Sequence, residues 1–356
     1  MFDIMKSGLD KIYCGDALDI LKTFPENSVD LVVTSPPYYQ QRDYGYSKGM
    51  VGNENAPEEY INNLSKIFNE CVRVGKPTSS IVFNIGDKYS NNSSLLLIPY
   101  RFAMSAMQQN NVTLINQIMW LKQNPQPRQF KRRLVSSYEP FLHFVKSKNY
   151  KYHSEEFNSE PTKIKKKKEN GVNNKIGHTY FQQIDNSSLT EDQKSIARVE
   201  LQKAIKEVKL GAISSFRMKI KGMHAAAYGG YEGGRKLQIE QRGFTLIRMF
   251  GNPLRRDVII TPKAHNRDSK HPAVYPEAVV EQIIRLTTDE NDVVLDPFIG
   301  SGTTAVVAKR LNRRYIGIDI NKVYCEMAVE RLKRLDSKQL TIKNFTKSIE
   351  VDLAKN

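Results

Sequence analysis

The chain has little with which to cross-link itself. Its 356 residues include three cysteines, Cys14, Cys71 and Cys325, all far apart. That spacing offers neither a disulfide framework nor the close pairs of a zinc site, so no metal centre is expected. Long hydrophobic runs are absent as well, and none approaches the ~20 residues needed to span a bilayer. The first residues, MFDIMKSGLDKIY, lack a signal-peptide pattern, and the expectation is a cytoplasmic protein with no membrane partner. Acidic residues are outnumbered, 38 against 54 lysines and arginines, leaving a formal net charge of +16. That imbalance suits a polyanion, most simply nucleic acid. Nor is there any visible internal repeat.

What is present is organised around Thr34-Ser35-Pro36-Pro37-Tyr38-Tyr39. The preceding run, Val29-Asp30-Leu31-Val32-Val33, is apolar and β-branched and predicts a buried strand. Two prolines then stop any regular element, because neither has an N–H to donate. Each also drives the residue before it into an extended conformation. Ser35 and the Pro36 carbonyl are therefore expected on a stiff ledge just past a strand end, with Tyr38 and Tyr39 as flat faces beside it. A hydroxyl, a fixed carbonyl and a ring suit the grip of a planar heterocycle bearing an amine. A plain proline loop with core tyrosines fits the same six residues.

Elsewhere, strand-like runs alternate with helical periods. Lys11–Cys14, Ser80–Ile85, Leu114–Leu121 and Pro140–Val145 read as strands; Ala17–Phe24, a helix opened by Pro57, and one from Pro99 to about Gln109 lie between. Residues 40–56 are polar and read as a mobile loop. The pattern changes near residue 150. Residues 151–256 carry a lysine run (Lys163, Lys165 to Lys168), a polar helical stretch over 191–209 and the Gly-rich GMHAAAYGGYEGGR, with no buried strand like those before. The lysine run reads equally as a solvated loop and as a contact to nucleic acid. After residue 257 the alternation returns: a helix from Pro276, a strand over 292–296, a helix to about Leu311, a strand Tyr315–Asp319 and a helix capped by Asn321 to about Leu335. The expectation is an α/β, doubly wound, mostly parallel sheet formed by 1–150 and 257–356, with 151–256 inserted.

A second motif lies in that last part. In Asp296-Pro297-Phe298-Ile299-Gly300-Ser301-Gly302, the glycines permit a tight strand-to-helix turn and close approach of a ligand. Asp319, at the end of the next strand, can accept both hydroxyls of a ribose. Ala305 stands where a third glycine would complete a dinucleotide fingerprint, and alanine is allowed there. The glycines thus leave a dinucleotide open, while an anion at Asp296 favours a cationic ligand such as S-adenosylmethionine.

With both motifs in view, the chain resembles the amino-methylating DNA methyltransferases of permuted, β-type motif order. TSPPYY looks like their catalytic motif, DPFIGSGTT like their S-adenosylmethionine loop and YIGIDI like their ribose-binding strand. CGDAL at 14–18 is similar to their early segment, and HPAVYPEAVV at 271–280 to the segment before the loop. The resemblance covers about 1–150 and 245–335 and implies a Rossmann-like methyltransferase fold, with 151–256 as the target-recognition region. It implies Ser35, Pro36, Pro37 and Tyr38 as catalytic residues. For the cofactor it implies Asp16 near the adenine, Asp296 on the methionine ammonium, Phe298, Gly300, Gly302 and Thr303 along the loop, Asp319 on the ribose, and His271 and Pro272 beside the methionine. Asp16 reads equally well as a helix N-cap. Arg42, Lys131, Arg132 and Arg133 are candidate DNA contacts, each also readable as a solvated loop residue.

The implied activity is site-specific methylation of double-stranded DNA, with the target base flipped out, in a restriction-modification setting. Such a setting admits a homodimer and a separate cognate restriction endonuclease. Carbon-5 methylation of cytosine needs a cysteine after a proline, and none of the three cysteines follows one. Serine at the first motif position is typical of N4-cytosine enzymes, so N4-methylcytosine is the expected product. N6-adenine methylation is the alternative; an RNA or protein-amide substrate, or a non-catalytic binding role, stands behind it.

Overall fold

The computed structural model describes residues 8–41, 51–124, 132–154, 176–224, 234–249, 256–262 and 275–353. The chain forms two compact units, Met1–Phe157 with Arg256–Asn356, and Asn158–Arg255. In chain order, the first unit begins with β1 (Lys11–Cys14), α1 (Ala17–Lys22), β2 (Val29–Thr34), α2 (Pro57–Val74), β3 (Gly75–Asn84), α3 (Ile98–Gln109), β4 (Thr113–Lys122) and β5 (Tyr138–Val145). The second unit holds α4 (His178–Asp185), α5 (Glu191–Lys209), β6 (Ser215–Ile220), α6 (Arg235–Arg242) and β7 (Phe244–Met249). The first unit resumes with β8 (Val258–Thr261), α7 (Glu277–Thr287), β9 (Val293–Asp296), α8 (Thr303–Arg310), β10 (Arg314–Asp319) and α9 (Lys322–Leu353).

The first unit is a doubly wound sheet of eight strands in the order β1-β10-β9-β2-β3-β5-β4-β8. Every pairing is parallel except the two made by β5, with β3 and with β4. Each strand alternates its side chains between the two faces. On β3, Ile81 and Phe83 enter one core with Leu64 and Phe68 of α2 and Phe102 of α3. Val82 enters the other with Val280 and Ile284 of α7 and Val307 of α8. The helices fit by period. Tyr60, Ile61, Leu64, Ile67, Phe68 and Cys71 of α2 recur at helical spacing and are all buried. Pro57 opens that helix where its missing N–H has no partner to lose, and Glu58 and Glu59 sit at the positive end of the dipole.

The central pairing is β2 with β9, Leu31 opposite Val294 and Val32 opposite Leu295. From β9 the chain winds by α8 to β10 on one side; from β2 it winds by α2 to β3 on the other. Connections that part in this way leave a crevice at the strands' carboxyl ends, where ligands of open α/β sheets bind.

Several elements differ from the sequence reading, among them α4 and α6, for which it predicts no helix. β8 is a sheet-edge strand of four residues for which the sequence reading predicts no strand. α9 continues to Leu353, well past the expected stop near Leu335. The second unit contains an antiparallel hairpin, β6 with β7, where the sequence pattern predicts no strand. In β6 the alternation is real: Met218 and Ile220 are buried with Phe244 against Leu201 of α5, while Arg217 and Lys219 alternate with them and are not buried. Its partner lies beyond an intervening helix, so no short turn marks the pair. The helix expected over 191–209 is present and has a capping box, Thr190 with Gln193.

Candidate active site

β2 is buried along its whole length and delivers Thr34 to the crevice. The ledge that follows is braced from below. The Tyr60 hydroxyl donates to the Pro37 carbonyl at 3.0 Å. Gly52 lies so close to Pro37 that a β-carbon there would sit 2.9 Å from the proline ring. Among the described residues, no hydrogen bond reaches the Pro36 carbonyl, and Ser35 is half-buried beside it. Tyr38 lays its ring on Gly86, where a β-carbon would come within 2.4 Å of it. Its hydroxyl lies 2.6 Å from Asn84 Oδ1 and 2.9 Å from Glu139 Oε2. Ser35 Oγ lies 3.3 Å from Asn84 Oδ1 and 3.4 Å from the Tyr38 hydroxyl. Asn84 is fully buried and anchored by its Nδ2 donating to the Pro140 carbonyl at 3.0 Å. Lys122 donates to the other Glu139 oxygen.

Tyr39 departs from the sequence reading. The expectation is a second exposed face; the residue belongs to the core, 5% exposed, packed on Tyr60 and bonded through its hydroxyl to the Asn55 carbonyl. Consecutive residues of an extended segment point in opposite directions, so only one of the two tyrosines can face the ledge.

At the end of β9 the chain makes the expected glycine turn. Gly300 and Gly302 have φ of 49° and 85°, in the left-handed region. A β-carbon on Gly302 would lie 2.9 Å from the Ala328 backbone, so glycine is required there twice over. Asp319 closes the turn from β10: its Oδ2 accepts the Gly300 N–H at 2.9 Å and its Oδ1 accepts the Asn321 N–H at 2.8 Å. Burial raises its carboxyl to about 6, against the pull of those two donors. Each oxygen keeps a further lone pair, which suits a vicinal diol.

The two motifs meet through Asp296. Thr34, the residue before Ser35, donates from Oγ1 to Asp296 Oδ1 at 2.5 Å across 262 positions of sequence. Phe298 N–H donates to the same oxygen at 3.0 Å. Thr304 Oγ1 and the Tyr275 hydroxyl lie 2.6 and 3.1 Å from Oδ2 and are hydrogen-bonded to each other as well. Burial raises the Asp296 carboxyl, and these donors oppose the rise.

This corrects one expectation. The sequence reading makes Asp296 an open anion for the ligand's ammonium; it is 1% exposed, and its two oxygens lie within hydrogen-bond reach of four protein donor groups, two of which, the Tyr275 and Thr304 hydroxyls, also bond each other. It joins the ledge to the turn. The side chain of Thr303, expected as a ligand contact, is buried, and its hydroxyl accepts from Arg331 of α9 at 3.2 Å. Arg331 further donates to the Ser301 carbonyl at 2.7 Å and pairs with Glu277 at 3.0 Å, so it braces the turn from behind.

The remaining candidates divide. Phe298 is half-buried at the mouth of the turn, packed against the first core. Asp16 is exposed and caps α1, accepting the Asp19 N–H at 3.1 Å. It nevertheless stands at the same sheet edge, since Cys14 pairs with Asp319 and Gly15 N–H donates to the Asp319 carbonyl at 2.9 Å. Arg133 stacks its guanidinium 3.8 Å from the Tyr89 ring centre, and Arg132 is exposed. Arg42, Lys131, His271, Pro272 and the lysine run of 163–168 lie outside the described residues. The sequence reading missed Thr34, Asn84, Glu139, Tyr275 and Arg331. Only Thr34 and Tyr275 stand inside a recognised motif; the others come from strands and helices legible as structure alone.

Comparison with known proteins gives the family and the fold. A model of the N6_N4_Mtase family, described as DNA methylase, matches residues 29–330. Type II methyltransferase M.BglII of Bacillus subtilis is 29% identical over 92% of this chain and 70% of its own length. Type II methyltransferase M.SfiI of Streptomyces fimbriatus is 27% identical over 88% of each chain. Among solved structures, PvuII DNA methyltransferase (cytosine-N4-specific) aligns with a TM-score of 0.56 at 18% identity, covering 90% of this chain and 85% of that one. A candidate DNA modification methylase of Thermus thermophilus, complexed with S-adenosyl-L-methionine, aligns at 0.50 with 20% identity, over 91% and 93% of the two chains. At these identities the two structures speak for the fold.

Proposed function

The chain belongs to the N6_N4_Mtase family of DNA methylases, and from that premise we propose that it methylates the exocyclic N4 of cytosine in a flipped-out base of duplex DNA. S-adenosylmethionine, the donor of this family, supplies an activated methyl group when bound. The residues present fit its nucleoside half: the Asp319 carboxylate has lone pairs left for a ribose diol, Phe298 offers a ring at the turn, and Asp16 stands beside them. Its ammonium needs a partner other than Asp296, whose oxygens are already engaged.

The observation that carries the reading is the bond from Thr34 to Asp296, which sets the ledge and the glycine turn on adjoining strand ends. Ser35 Oγ and the Pro36 carbonyl then face an amine presented from the same crevice. The amine of a base is a poor nucleophile because its lone pair is delocalised into the ring. Two acceptors on its hydrogens draw the nitrogen towards tetrahedral geometry and localise that pair, stabilising the charge that develops there. The prolines hold both acceptors without reorganisation, and alignment with the donor lowers the remaining barrier. Tyr38, held against Gly86, is the ring on which the flipped base would stack. Serine at the first motif position favours cytosine over adenine. We further propose residues 151–256 as the target-recognition region, with Arg132 and Arg133 contacting phosphate.

Ser35→Ala should lower turnover on the order of 10²-fold or more, as loss of a donor or acceptor aimed at developing charge does, while leaving donor affinity within twofold. Digestion of DNA treated with labelled donor should yield labelled N4-methylcytosine. Labelled N6-methyladenine would overturn the base assignment and leave the methyl transfer standing. Label on RNA or protein, with duplex DNA inert, would overturn the reading as a whole.

A further inference from the structure

Methylation of a neutral amine releases a proton, and the ledge itself holds no base to take it. Ser35 is a hydroxyl and Pro36 an amide carbonyl; neither keeps a proton at neutral pH. The cluster behind them does contain a base. The Tyr38 hydroxyl has one hydrogen to give, and among the described residues the acceptors nearest it are Asn84 Oδ1 at 2.6 Å and Glu139 Oε2 at 2.9 Å. Asn84 cannot be the sink, since an amide oxygen is scarcely basic. Nor can its amide turn to offer nitrogen instead, because Nδ2 is committed to the Pro140 carbonyl. Ser35 can serve Asn84 or Tyr38, at 3.3 and 3.4 Å. Among the described residues of this cluster, the carboxylate that can accept a proton is Glu139.

We propose that Glu139 receives the proton released by methyl transfer, reached from Ser35 through the Tyr38 hydroxyl. The balance is complete. The nitrogen–methyl bond forms as the sulfur–methyl bond breaks, and the sulfonium becomes a neutral thioether. The nitrogen, now carrying the positive charge, loses one N–H proton to Ser35 Oγ. Ser35 passes its own proton to the Tyr38 oxygen, and Tyr38 passes its proton to Glu139 Oε2. The amine leaves neutral and methylated, and the carboxylate ends as a carboxylic acid. Lys122 holds the other oxygen and so leaves Oε2 facing Tyr38. Lys122 is itself fixed, its ammonium 5.1 Å from the centre of the Trp120 ring, which is anchored through Nε1 to Thr261 at 2.9 Å. Bonded to the Tyr38 hydroxyl and to Lys122, Glu139 acts through Tyr38 as a positioning residue for the proton.

This inference rests on the methyl-transfer reading, and the experiment separates the two. Wild-type enzyme that transfers no label to DNA would defeat the reading itself. Given an active wild type, Glu139→Gln should slow single-turnover methylation on the order of 10²-fold, the usual scale of a proton-transfer contribution. Donor and DNA affinities should stay within twofold. The acid limb of the wild-type pH–rate profile should be absent from Glu139→Gln. Tyr38→Phe, which keeps the ring on Gly86, should cost a similar factor, and the double variant should be no slower than the slower single variant. In the free protein, the Tyr38 Cζ resonance in labelled-tyrosine NMR should follow one acid titration that Glu139→Gln abolishes. If Glu139→Gln fails to bind donor, Tyr38→Phe and its resonance in the wild type decide. An unchanged rate, a surviving acid limb, losses that multiply, or a Tyr38 resonance indifferent to acid would each overturn the relay.

Discussion

Burial lifts the Asp319 carboxyl to about 6, and that shift has two consequences of opposite sign. For stability, the folded chain holds this proton more tightly than the unfolded chain does. The contribution is therefore present at acid pH and lost as pH rises from the ordinary aspartate range through about 6. For the donor, ribose hydroxyls need the ionised form as acceptor, so binding improves over the same interval. Donor affinity measured by calorimetry should fall roughly tenfold per pH unit below about 6, and Asp319→Asn should bind weakly at every pH with that dependence gone. A flat profile in the wild type would remove Asp319 from the donor site. At this scale the sequence is most legible where a residue type is rare for its place: a serine before two prolines, an acid at a strand end. It is least legible for Glu139 and Arg331. Charged residues of that kind are ordinary on any surface, and only their partners distinguish them.

Among the elements, the glycine turn is the most demanding. Gly302 combines a left-handed φ with a backbone neighbour where a side chain would begin. Gly302→Ala should lower stability by at least the ~1–2 kcal/mol of the left-handed conformation, and the displaced turn should weaken donor binding more than DNA binding. A thermal melt and a donor titration of that variant check both parts; a melting temperature equal to the wild type's would contradict the strain. The turn is readable because strain of this type leaves glycine as a trace in the sequence. Helix α2 is readable for another reason, its buried residues returning every three or four positions. β6, β7 and β8 are not. A short strand is marked by alternation alone; β6 and β7 carry lysine or arginine that makes them resemble a polar segment, and the four residues of β8 show no apolar–polar alternation.

For the molecule as a whole, the excess of 54 basic over 38 acidic side chains should appear as a salt-dependent affinity for DNA. The logarithm of the binding constant should fall linearly with the logarithm of salt, with a slope near about −0.9 for each phosphate neutralised. Donor affinity, set inside the turn, should change little over the same range. A salt-insensitive DNA affinity would show that the charge has another purpose. By itself the sequence determined the strand-to-loop ledge, the glycine turn and the α/β class, because proline, glycine and apolar period act on the chain locally. Only the tertiary structure decided that β2 lies beside β9, that Thr34 reaches Asp296, and that Asp296 is spent in holding the two motifs together. Contacts across 262 positions depend on the order in which strands assemble, and no local propensity records that order.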